Sequence, residues 1–122
     1  MQCKTILAVD DSATMRDMIF RSLSDFGYQV VLAADGVDAL DKLRVSTPSV
    51  IITDINMPRM DGIAFISEVR RNGPNRNTPI LVLTTETDLR WKEQAKDAGA
   101  TGWITKPFNP ERVTEAVRKV TM

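Results

Sequence analysis

Five short runs, at residues 6–9, 30–33, 50–54, 80–83 and 103–105, read as strands, and the stretches between them carry apolar residues at helical spacing. Each run is too short for a helix, and the near-continuous apolar character of ILAV, VII and ILVL suits strands covered on both faces. Strands separated by helices must run parallel, and right-handed crossovers place helices on both faces of the sheet. The alternation therefore predicts an α/β domain: a doubly wound five-stranded parallel sheet with five helices.

The punctuation agrees. Asp11 or Ser12 can cap the first helix, Met15, Met18, Ile19 and Leu23 keep its spacing, and Gly27 follows as its stop. Asp35 and Gly36 turn the chain after the second strand, and Val37, Leu40 and Leu43 form a stripe that ends before Thr47 and Pro48. The third strand, 50–54, ends in Asp54, after which Pro58 and Gly62 bend the chain toward a helix with Ile63, Ile66 and Val69 inward. Residues 72–79, with two prolines and three asparagines, read as a loop. Asp88 can cap a helix running to Ala98, which Gly99 ends. Trp91 shares the phase of Ala95 and Ala98, so it either packs inward or belongs to a partner face. Residues 103–105 are a weaker fifth strand. Asn109 then caps, and Pro110 opens, a helix presenting Val113, Ala116, Val117 and Val120.

Composition excludes several function classes. A chain of 122 residues has the size of one domain, 1–122, burying roughly two-thirds of its unfolded surface, and no effector domain is expected. Its 16 basic and 16 acidic residues cancel, so there is no overall footprint for nucleic acid or an anionic membrane. Two acids interrupt the first apolar run after residue 9, far short of a secretory core or a membrane span. A soluble, cytoplasmic monomer is the expectation. The absence of histidine removes Ser-His and Cys-His catalysis and His-ligated metals. Cys3 is the only cysteine, which precludes an internal disulfide and suits a small residue at the start of a strand.

Ligands of such sheets sit beyond the carboxyl ends of the strands, where the winding direction reverses. Those ends carry Asp10 and Asp11 after the first strand, Asp54 after the third, Thr84 after the fourth and Lys106 after the fifth. A strand order of 2-1-3-4-5 makes the first and third strands neighbours and so gathers three carboxylates. Like charges that close do not all ionise comfortably unless a cation intervenes, and oxygen-only ligands favour a hard ion such as Mg2+. One carboxylate can then stay ionised and attack phosphorus. Mg2+, Lys106 and the Thr84 hydroxyl can together neutralise the three oxygens over which the transition state spreads its charge, without a general base. Asp54 is the natural nucleophile, with Asp10 and Asp11 as metal ligands. Singly, each residue has a plainer reading, as a strand end, a helix cap or a surface lysine; their meeting at one sheet edge is what distinguishes the site.

The motifs VDD at 9–11, TDINMPRMDG at 53–62, LTTE at 83–86 and KPF at 106–108 resemble the response-regulator receiver family, and the likeness covers the whole chain. The resemblance implies the flavodoxin-like form of the fold. It implies that Asp54 accepts a phosphoryl group from a histidine kinase, and that Asp10, Asp11, Asp54 and the Asn56 backbone carbonyl hold Mg2+. It also implies a cis bond between Lys106 and Pro107 that aims the lysine. Within the family the chain looks most like the stand-alone chemotaxis type, in which the residues matched by Asn56 and Glu86 tune how water reaches the acyl phosphate. Output would then pass through contacts made by the fourth helix, fifth strand and fifth helix, reaching the flagellar motor switch. A CheA-like kinase would serve as donor, and a phosphatase would use overlapping surfaces. Such a chain catalyses only its own phosphorylation and dephosphorylation. A phosphate sink or a non-chemotaxis phosphorelay is the alternative. Two residues depart from the family pattern: Trp103 stands where the switch aromatic is usually Tyr or Phe, and Thr85 where a small Ala often leaves that ring room. The expectation is that Thr84 moves toward the phosphoryl group and Trp103 responds.

Other readings fit less well. A phosphatase of the haloacid-dehalogenase kind normally needs a second acid two residues after the nucleophile, where this chain has Asn56. In an FMN-binding flavodoxin, Asp10 and Asp11 would repel the cofactor's phosphate. A degenerate receiver acting only as an adaptor would not be expected to keep every phosphorylation residue. No glycine-rich nucleotide loop is present, so the donor is a phosphorylated partner or a small phosphodonor.

Overall fold

The computed structural model describes residues 4–71 and 73–121. Cys3, Asn72 and Met122, expected at a strand start, in a loop and after the last helix, lie outside the described residues. The elements alternate as β1 (Thr5–Val9), α1 (Ala13–Asp25), β2 (Gln29–Ala33), α2 (Gly36–Leu43), β3 (Val50–Thr53), α3 (Gly62–Arg71), β4 (Ile80–Thr84), α4 (Leu89–Ala98), β5 (Gly102–Thr105) and α5 (Pro110–Val120). All strand pairs are parallel, in the order β2-β1-β3-β4-β5. The doubly wound topology expected from the alternation is thus the observed one. Asp54 stands one residue past β3 rather than inside it.

Alternate residues of the strands feed two cores, one on each face. Leu7, Val9, Ile51, Ile80 and Val82 pack with Ala39 and Leu43 of α2, Phe65, Ile66 and Val69 of α3, and Ala95 of α4. Ile6, Ala8, Ile52, Leu81 and Leu83 pack with Ile19 and Leu23 of α1 and Val113 and Val117 of α5. Full burial of a side chain of this size contributes roughly 1.5–3 kcal/mol, so these two layers are what hold the strand ends in register.

Several helical stripes differ in phase from the sequence expectation. Met18 is 41% exposed and Val37 is 40% exposed, whereas Ile19, Ala39 and Phe65 are sealed. Met18 precedes Ile19 by one residue, about 100° round the helix, and so falls off the inward stripe. In α3 the buried set is Gly62, Phe65, Ile66 and Val69, at the i, i+3, i+4, i+7 spacing, which leaves Ile63 only half-buried. Trp91 packs inward against the α2–α3–α4 core.

The caps follow from local chemistry. The Ser12 hydroxyl, not Asp11, accepts from the Met15 amide at 3.2 Å, which leaves the Asp11 carboxylate free of capping. Asp88 caps α4, which Gly99 closes in the left-handed region at φ 116°, and Asn109 caps α5 ahead of Pro110 at the first turn. Each side-chain cap contributes about 1 kcal/mol.

Candidate functional site

The parallel register decides where the acids emerge. Val9 pairs with Thr53, so the next residue of each chain segment, Asp10 and Asp54, leaves the sheet at the same level. Their amides are pinned there, Asp54 N donating to the Val9 carbonyl at 3.0 Å and Asp10 N to the Ala33 carbonyl at 3.1 Å. Asp11 follows at the mouth, and carboxylate oxygens of Asp10, Asp11 and Asp54 all lie within 4.8 Å of one another. Asp10 and Asp54 are 2% and 7% exposed, whereas Asp11 faces solvent.

Lys106 reaches the same point from the end of β5. Its Nζ donates to Asp10 Oδ2 and to Asp54 Oδ2, both at 2.9 Å. The second oxygen of each acid takes a backbone amide: Ser12 N donates to Asp10 Oδ1 at 2.9 Å, and Ile55 N to Asp54 Oδ1 at 2.6 Å. Burial alone would pull the Lys106 ammonium toward deprotonation. The hydrogen bonds and charges of Asp10 and Asp54 outweigh that and hold its pKa above the usual lysine value. Lys106 is therefore a cation at neutral pH. The Lys106-Pro107 bond is cis, as the resemblance implied, and the Lys106 amide donates to the Thr84 carbonyl at 2.7 Å.

Thr84 is fully buried at the end of β4, and its Oγ1 accepts from the Glu86 amide at 3.3 Å, which leaves the hydroxyl hydrogen available to a ligand. Across the mouth Asn56 Nδ2 donates to Glu86 Oε1 at 2.6 Å, joining the loops after β3 and β4. Thr85 is exposed beside them. Trp103 stands apart from the acids in β5, half-buried, with Lys92, Lys96 and Ala95 of α4 around a recess of about 190 Å³. Register places it on the same face as Thr84: Trp103 pairs with Val82, and Thr84 is two residues further along β4.

Three contacts were not legible in the sequence. Arg16 Nη1 donates to the Asp10 carbonyl at 2.7 Å, from one turn inside α1. Arg59, in the loop after β3, grips the carboxylate of Asp35 through Nε at 2.8 Å and Nη2 at 3.1 Å. That guanidinium, followed by the Asp38 amide, holds the Asp35 pKa below the usual carboxylate value. Arg59 has φ 65°, a left-handed backbone that costs a non-glycine residue about 1–3 kcal/mol. Finally, Gly62 packs its Cα directly onto the Asp54 carbonyl while its amide donates to the Ile55 carbonyl at 2.8 Å. The only advance signal for any of these was the Pro58–Gly62 bend, which marks a tight turn without naming its partners.

The donor set suits a hard divalent cation. All three acids offer oxygen, and their three negative charges against the one ammonium of Lys106 leave two uncompensated. Asp10, Asp11 and Asp54 would hold such an ion, and it would supply charge neutralisation at an incoming phosphoryl oxygen.

Comparison with known proteins agrees with this geometry. A family model described as "Response regulator receiver domain" matches residues 6–118. The chain is 40% identical over 113 residues to Response regulator MprA of Mycobacterium sp. (strain KMS), covering 93% of this chain and 48% of that protein. It thus spans about half the length of the curated relatives it matches. Among solved structures it resembles the chemotaxis response regulator CheY4 of Vibrio cholerae, with 46% identity, a TM-score of 0.91 and coverage of 98% and 99% of the two chains. It also resembles the receiver domain of the sensor histidine kinase PA1611 from Pseudomonas aeruginosa PAO1, which has a magnesium ion coordinated in its active-site cleft. That match has 27% identity, a TM-score of 0.91 and coverage of 98% of each chain.

Proposed function

The chain belongs to the response-regulator receiver family, and from that premise we propose that Asp54 is its phosphoryl acceptor, with Asp10, Asp11, Asp54 and the Asn56 carbonyl holding Mg2+. Receivers take phosphoryl groups from histidine kinases. The observation that carries the assignment is the Lys106 ammonium bridging Asp10 and Asp54, because it sets a cation directly against a nearly sealed carboxylate at the end of β3, where a phosphoryl oxygen would need one.

In the transfer an Asp54 oxygen forms the bond to phosphorus as the donor's P–N bond breaks, and the electron pair leaves with the imidazole. With a small acyl phosphate the P–O bond breaks instead. Lys106 and the Thr84 hydroxyl donate to the phosphoryl oxygens as charge builds on them. Asn56 and Glu86, joined across the entrance, govern the approach of hydrolytic water. The chain catalyses only these changes on itself.

The output reading is chemotaxis, through a motor-switch partner docked on α4, β5 and α5 and a CheA-like kinase as donor. Near end-to-end likeness to CheY4 supports it, as does the basic-rimmed recess at Trp103. The second reading, favoured by the likeness to MprA over half of that protein's length, is a receiver serving another response regulator pathway. No helix among the described residues is long and apolar enough to cross a membrane, which is compatible with a cytoplasmic site of action.

Incubation with acetyl phosphate and Mg2+ should add the mass of one phosphoryl group to the intact protein, and Asp54→Ala should abolish it. Labelling that survives the substitution would relocate the acceptor. Activation should also reach β5. In a Trp91→Phe background, beryllofluoride with Mg2+ should change the Trp103 fluorescence, since Thr84 and Trp103 share one face of neighbouring strands. An unaltered spectrum would remove Trp103 from the response.

A further inference from the structure

Resting on that reading of the cleft, we propose that Arg59 is a positioning residue: by gripping Asp35 it holds the 54–61 loop, and with it the Asn56 ligand, at the right distance from Asp10 and Asp11. Among the described residues Arg59 is the only non-glycine with positive φ, and the Met60 amide donates to the Pro58 carbonyl at 2.7 Å around it, closing a three-residue γ-turn. Glycine or asparagine would adopt this backbone at lower cost. An arginine there indicates that its side chain is what the site needs.

The partner of that side chain is equally specific. Asp35 is buried, caps α2 through the Asp38 amide at 2.8 Å, and offers both oxygens to the guanidinium fork. Two residues earlier the Ala33 carbonyl accepts from the Asp10 amide at 3.1 Å. The turn between β2 and α2 therefore touches both halves of the ligand set, Asp10 on one side and the 54–61 loop on the other. Asn56 is anchored at its side chain by Glu86, and Gly62 closes the far end of the loop on the Ile55 carbonyl at 2.8 Å. Among the described residues the Arg59–Asp35 pair is the polar tie between the middle of this loop and the turn beside Asp10, next to the packing of Met60 on Gly36. Because the arginine side chain is 59% exposed, the pair should contribute little to global stability. Its effect should be local.

Charge alone predicts the opposite outcome to bracing, which makes the test decisive. Deleting a cation near an acidic cleft should tighten Mg2+ binding, whereas loss of the brace should weaken it. In calorimetric Mg2+ titrations of the unphosphorylated protein, Arg59→Asn, which tolerates the left-handed backbone, should weaken affinity about fivefold at nearly unchanged Tm. Asp35→Asn keeps a competent cap while breaking the pair. The double variant should be no weaker than the weaker single one, because the two changes remove one interaction. Unchanged or tighter binding by Arg59→Asn, or additive effects of the two changes, would overturn the proposal while leaving Asp54 as acceptor untouched. A wild-type protein that neither binds Mg2+ nor takes up phosphoryl groups from acetyl phosphate would instead overturn the receiver chemistry, and the brace with it.

Discussion

Lys106→Met should accept phosphoryl groups from acetyl phosphate about a hundredfold more slowly than the wild type, while binding Mg2+ about tenfold more tightly. The two effects have opposite signs because the ammonium does two things. In the resting site it occupies Asp10 Oδ2 and Asp54 Oδ2, each at 2.9 Å, and so competes with a divalent ion for the same charge. On the proposed reading it donates in the transition state to a phosphoryl oxygen, and one well-placed donor of this kind typically accelerates by about 10²–10³-fold. Methionine keeps the length and apolar body of the stem, so packing changes little. Intact-mass time courses and calorimetry at matched ionic strength read the two quantities separately. A variant that is phosphorylated at the wild-type rate would reduce Lys106 to a counter-ion for the acids.

Gly62→Ala should destabilise the fold by about 3 kcal/mol and lower Tm by roughly 10 °C. Helix propensity argues the other way, since alanine in place of glycine favours a helix by up to about 1 kcal/mol and Gly62 opens α3. Steric contact decides. A Cβ at this position would fall on the Asp54 carbonyl oxygen and lie 2.9 Å from Ile55 Cα. Both are backbone atoms of the loop that carries Asp54, so relief requires moving Asp54 itself. Gly36→Ala is the informative comparison, because the nearest atoms its methyl meets are Met60 Cγ at 2.8 Å and Cβ at 2.9 Å, so it strains the loop through Met60 and not through the backbone of Asp54. Thermal unfolding followed by circular dichroism checks both. Equal stability of Gly62→Ala and the wild type would mean that the loop yields freely. In that case, the close packing beneath Asp54 would not constrain it.

The fold was legible because its signals are local and repeated. Asp88, Gly99, Asn109 and Pro110 bracket α4 and α5 by their own backbone preferences, and the short apolar runs allow little other than buried parallel strands. The acidic cluster was legible for a related reason: residues that end strands of one parallel sheet must meet at one edge. Finer assignments were not. Met18 and Val37 sit at helical intervals yet point outward, since periodicity sets the angle between residues and not the angle of the stripe to its neighbours. Phe65, one of the largest fully buried side chains, takes the inward place next to Ile63 for the same reason.

By itself the sequence determined which chemical groups stand at the carboxyl ends of the strands, because turn and cap preferences act over a few residues and sheet polarity does the rest. Only tertiary structure decided which oxygen faces which nitrogen. The Lys106 bridge spans 96 and 52 residues to its two acids, and the Arg59–Asp35 fork spans 24. Such contacts depend on strand register and helix rotation to within an ångström, and these are set by the packing of two whole cores rather than by any residue's neighbours along the chain.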